Sequence, residues 1–158
     1  MSTSVTKNDA PAMKSNLKVK DRKYVEDLRL DVKRGLASIN ASLGAAVEPC
    51  RTIDYVVDSL TKQGETALVE KAVGLVNAIE SDIRVYNGEI AELTPEVTTF
   101  LNEPPTRRRH LDRFSANGMY LGQRLLELNM RIMQTTMAIA DDYSQILNTI
   151  SDEVTPNE

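Results

Sequence analysis

Apolar side chains recur along this chain at steps of three and four, the mark of helices that each bury one stripe. Over about 21–47, Val25, Leu28, Val32, Leu36, Ile39, Leu43 and Val47 advance by 3, 4, 4, 3, 4 and 4 residues. Those steps repeat every eleven residues, which predicts a helix whose stripe faces its partner with little supercoil or a slight right-handed one. Gly44 and Pro49 are expected to end it. A second helix is expected over 52–93, where Thr52 offers an N-cap, Ile53, Val56, Val57 and Leu60 an apolar face, and Gly64 a break or bend. Beyond Gly64, Leu68, Ala72, Val76, Ile79, Ile83, Tyr86, Ile90 and Leu93 settle into alternating fours and threes, a heptad seam.

Thr94 and Pro95 have the grammar of an N-cap followed by proline at the first helical position, which predicts a short extra helix over 95–102. Pro104 and Pro105 then force a turn. From 106 to 150, Leu111, Phe114, Gly118, Leu121, Leu125, Leu128 and Ile132 step 3, 4, 3, 4, 3 and 4. Unbroken, that last segment would be about 65 to 70 Å long at a rise of about 1.5 Å per residue. A rod of that length cannot bury itself in a sphere. The expected fold is therefore all-α: an elongated antiparallel helical bundle or coiled-coil hairpin with a third helix. In it 52–93 folds back on 106–150 and the first helix completes a single domain over 21–150. Residues 1–20 and 151–158 lack apolar periodicity and read as a flexible polar arm and a polar tail.

Composition narrows the class without changing the fold. The chain has 158 residues, 41% hydrophobic and 27% charged, enough for one core without metal or disulfide support. Aromatics are only 4%, with no Trp, which suits helix-on-helix packing better than a sheet. The net charge of −4 offers no global pull toward nucleic acid or an anionic membrane. It is unevenly spread: residues 1–34 carry nine basic and five acidic side chains (+4), 35–106 four and eleven (−7), and 107–158 six and seven (−1). This asymmetry would hold the first helix against the second, or drive head-to-tail association between copies.

One cysteine, Cys50, excludes an intramolecular disulfide. The chain shows no secretory-signal pattern and no apolar run near the roughly 18 residues of a membrane span. The expected setting is cytoplasmic, or a particle assembled there.

Candidate chemistry is sparse. His110 is the only histidine, so no His-based metal cluster is expected, and the paired Glu-x-x-His motifs of a di-iron bundle are missing. Cys50 has no CxxC partner, and no phosphate-binding loop, GxGxxG, GxSxG or EF-hand loop occurs. No cofactor and no enzymatic activity are expected. Three binding features stand out instead. Leu126, Met130, Met133, Met137 and Ala140 form a second stripe on the last helix, about 100° around from the Leu125, Leu128, Ile132, Ile139 seam. The plainer expectation is that the first helix covers it; the sharper one is that Met130, Met133 and Met137 meet another protein chain. Gly118 and Gly122 are a small-xxx-small pair, expected to let the 52–93 helix pack closely.

Arg107, Arg108, Arg109 and Arg113 load positive charge onto a helix start that already favours anions. Their expected answer is the acidic run Glu80, Asp82, Glu89, Glu92, Glu96 and Glu103; the functional alternative is phosphate or an acidic partner.

Together these features point to a non-catalytic structural or assembly protein that binds other protein chains through helical faces. The candidate surfaces are the methionine stripe, the eleven-residue face of the first helix and the arginine cluster. Such a chain would act as an oligomer or as a subunit of a larger complex, and packing within a virus particle or filament would order its polar arms. The alternatives are a nucleic-acid-handling protein that uses Arg107 to Arg113, and a chaperone or adaptor that hides a partner helix on the methionine stripe.

Overall fold

A computed structural model describes residues 15–154 of the chain. Three long helices account for nearly all of them: α1 over Val19–Gln63, α2 over Thr66–Asn102 and α3 over Leu111–Val154, the last entered through a 3-10 turn at Arg108–His110. No strand occurs among the described residues. The chain runs up, down and up, so α1 and α3 are parallel and α2 is antiparallel to both. Cross-helix hydrogen bonds fix the levels. Tyr24 Oη lies 2.6 Å from Ser115 Oγ, and Ser42 Oγ donates to Asn129 Oδ1 at 2.7 Å. Arg29 donates from Nε and Nη2 to the Leu101 carbonyl at 3.1 and 2.6 Å, placing a cation on an orphan carbonyl at the negative end of α2.

The expected helix ends at Pro49 and Pro95 do not occur. Both prolines lie inside helices, and Thr52 and Thr94 are interior residues rather than caps. An interior proline costs about 3 kcal/mol, whereas burying a single Ile or Leu side chain contributes about 1.5–3 kcal/mol. A break at Pro49 would throw Cys50, Ile53 and Leu60 out of register with the core, and one at Pro95 would do the same to Val97 and Phe100. The summed packing outweighs the local penalty. Gly64 is where α1 stops. At φ 78° it takes the left-handed conformation, its N–H donates to the Thr61 carbonyl, and Glu65 N–H donates back to Leu60, a Schellman closure.

The buried stripe of α1 also departs from the eleven-residue expectation. Full burial falls on Val25, Val32, Ile39, Ala46, Ile53 and Leu60, one every seven residues, with Cys50 also buried between Ala46 and Ile53, while Leu28, Leu36 and Leu43 pack half-buried at its margin. Helix α2 repeats the interval with Ala72, Ile79, Tyr86, Leu93 and Phe100, and α3 with Leu125, Ile132, Ile139 and Ile146. Equal spacing in all three helices lets their layers stay in step along the whole bundle.

The polar ends are shorter than expected. Leu17 is buried in the core, Asn16 N–H donates to the Thr106 carbonyl at 2.9 Å, and α1 starts at Val19, so 15–20 belong to the bundle. A single leucine in a polar segment has no periodicity to announce it. At the other end α3 continues to Val154. The rest of both expected arms, 1–14 and 155–158, lies outside the described residues.

Candidate functional site

Helix α3 has two apolar stripes and, among the described residues, two neighbouring long helices. Phe114, Leu121, Leu125, Leu128, Ile132 and Ile139 take the buried arc. With successive residues about 100° apart, Leu126, Met130, Met133 and Met137 fall on the adjoining face. They are between 51% and 68% exposed, so α1 does not cover them. It packs one face further in, where Gly35 meets Leu125 and Ser42 meets Asn129. Three helices need only the arc between two contacts from each member, and the second stripe lies outside that arc. Ala140 is also exposed.

The stripe is longer than its sequence reading. Met119, seven residues before Leu126, is 67% exposed, and Tyr120 beside it is exposed too. The seven-residue interval was the signal for Met119. The edge facing α1 is polar: Asn129, held by Ser42, donates from Nδ2 to Met133 Sδ at 3.8 Å.

The two glycines behave differently. Gly118 is buried, and a Cβ there would lie 2.9 Å from Phe100 Cζ and 3.6 Å from Leu28 Cδ1. Phe100 in turn stacks on Phe114, with ring centroids 4.3 Å apart. Gly118 thus makes room for an aromatic pair at the end of α2, beyond the 52–93 span expected to use it. Gly122 faces open space, with nothing within 4 Å of a Cβ, so close packing does not use it within the chain.

At the end where α1 and α3 begin lies a basic corner. Arg107 is extended, Arg108, Arg109 and His110 form the 3-10 turn, and all four are exposed. Arg109 Nε donates to His110 Nε2 at 3.1 Å. Among the described residues none of Arg107, Arg108, Arg109 and Arg113 has a carboxylate within 4.0 Å, so the expected internal answer from the acidic run is not formed as ion pairs. Glu89 of that run instead receives Arg131 of α3 through both carboxylate oxygens, beside the Tyr86 ring. The prolines carry the arginines past the end of α2. Glu96, Glu103, His110 and Arg113 share an open groove of about 840 Å³ with Phe100 and Tyr120. The Asn16 to Thr106 bond brings Lys18, Lys20 and Arg22 of the first α1 turns to the same end.

Elsewhere the chemistry is thin. Cys50 is buried, and desolvation first, then the charges of Glu80 and Asp54, push its thiol up from the ordinary value, which keeps it protonated and poorly nucleophilic. Among the described residues no three His, Cys, Asp or Glu side chains converge on a metal-sized space, and no helix is long and apolar enough to cross a membrane. Set against protein-family models, curated proteins and solved structures, the chain matches none of them.

Proposed function

We propose that this chain is a non-catalytic structural or assembly protein that binds another protein chain through the methionine face of α3, as an oligomer or as a subunit of a larger complex. One observation carries the reading: five large apolar side chains, Met119, Leu126, Met130, Met133 and Met137, stand more than half exposed along one face of one helix. Scattered exposed apolar residues need no explanation, whereas a contiguous band of them marks a contact surface. Methionine suits that role because its unbranched thioether adapts to a partner's shape.

The test compares the wild-type chain with Met130→Glu/Met133→Glu by light scattering and by fluorescence of an apolar dye. The expected result is that the wild type assembles or binds dye, and that the variant does neither while keeping its helical circular dichroism. A wild-type monomer that binds no dye removes the reading.

The basic corner supports a second reading, nucleic-acid handling, because among the described residues its arginines have no carboxylate partner at the start of α3. Its measure is anisotropy of labelled DNA and RNA across salt concentrations. Binding would weaken steeply with salt, and less steeply once Arg107, Arg108 and Arg109 are alanine. No binding at low ionic strength would dismiss it.

A further inference from the structure

Resting on the protein-binding reading of α3, we infer that the occupant of the methionine face is a second copy of this chain, packed antiparallel about a two-fold axis that passes between Met130 and Met133. An interface of that symmetry must be self-complementary, each residue i meeting j while j meets i. The stripe satisfies this: Leu126, Met130, Met133 and Met137 are spaced 4, 3 and 4, so reversing one copy sets Met130 on Met133 and Leu126 on Met137. Gly122, open on its outer side, and Gln123 fall at the margin of the same contact, opposite Asp141 and Ala140 of the other copy. With on the order of 100 Å² exposed on each of five large side chains, pairing removes on the order of 1,000 Å², the threshold for a specific interface, before the margins of α1 are counted.

Charge selects the orientation. The end where α1 and α3 begin, residues 15–34 and 96–123, carries eleven basic and seven acidic side chains, a balance of +4. The opposite end, residues 49–82 and 138–149, carries three and eight, a balance of −5. Parallel packing would set like ends together along the rod. Antiparallel packing about the centre of the stripe sets each basic end beside the acidic end of the other copy, the arrangement that opposite potentials favour.

Light scattering on the full chain, joined to cysteine cross-linking, tests this. The expected mass is twice 17.6 kDa at physiological salt, falling to 17.6 kDa in Met130→Glu/Met133→Glu with helicity retained. Oxidation should join Leu126→Cys to Met137→Cys when the two variants are mixed and should not join Leu126→Cys to itself, whose two copies would sit about 16 Å apart along the axis. Self-linking of Leu126→Cys in preference to the mixed pair overturns the antiparallel arrangement. A monomer up to about 100 μM overturns the second copy. If that monomer still binds apolar dye through the methionines, the protein-binding reading survives the loss of this one; if it binds none, both fall.

Discussion

The two ends of the bundle are built from different materials. Where α1 and α3 begin, the core holds the stacked Phe100 and Phe114 with Leu121, Leu125 and Leu128, and side-chain hydrogen bonds cross from helix to helix at Tyr24, Arg29, Ser42 and Tyr86. Toward the Gly64 turn the core is Cys50, Ile53, Ala72, Val76, Ile79, Ile139 and Ile146, and no side-chain hydrogen bond crosses between helices there among the described residues. Polar cross-links have directional geometry and resist sliding, whereas aliphatic contacts tolerate small shifts. The first end therefore sets the alignment of the helices, and the second follows by keeping the seven-residue interval.

The sharpest way to break this contrast is to remove the aromatic anchor. Phe100→Ala is expected to cost about 3–5 kcal/mol in urea unfolding, against about 2–3 kcal/mol for the matching truncation Ile79→Ala at the other end. Equal losses would mean that the ends carry similar weight. Next in size is Pro49→Ala, at the start of the aliphatic half. It restores an N–H for the Ala45 carbonyl and relieves the ring's clash, and is expected to raise stability by about 1–3 kcal/mol, read as a higher Tm.

Gly118→Ala is expected to destabilise by about 1–2 kcal/mol, since the added methyl meets a ring already stacked on another. Gly74→Ala, facing open space in the aliphatic half, is expected to gain about 0.5–1 kcal/mol from helix propensity alone. The same sign for both would show that the Phe100 ring yields freely.

The smallest effect belongs to Cys50. Its folded thiol pKa is raised, chiefly by burial, so its contribution is fully present below the unfolded thiol pKa of about 8.5 and is lost as pH rises through the folded value. Unfolding midpoints should fall more steeply above that pH in the wild type than in Cys50→Ala.

Much of this architecture was legible because long helices repeat their signal. The heptad steps from Leu68 to Leu93 and from Leu111 to Ile132 announced two of the three helices and the fold class. Helix ends were misread at Pro49 and Pro95, where local grammar competes with packing that the sequence does not display. Each proline is flanked by residues such as Ile53 and Val97 whose burial depends on the helix continuing. The eleven-residue reading of α1 failed for a related reason, because Leu28 and Leu36 look as apolar as Val25 and Val32 until neighbours decide which lie at the centre of the contact. The methionine stripe could be found from spacing, but which of the two stripes on α3 faces inward is decided by where α1 docks. That Arg107 to Arg109 meet no carboxylate among the described residues depends on a proline turn whose direction no periodicity encodes.

Three is an odd number of helices, and that has an electrical consequence. In a bundle with equal numbers running each way the peptide dipoles cancel, whereas two up and one down leave one helix uncompensated. Its positive pole, about half an elementary charge, lies where α1 and α3 begin, the end that already bears the surplus of lysine and arginine. Backbone and side chains thus polarise the rod in the same sense. Neutralising every charged side chain would still leave a molecule that turns in an electric field.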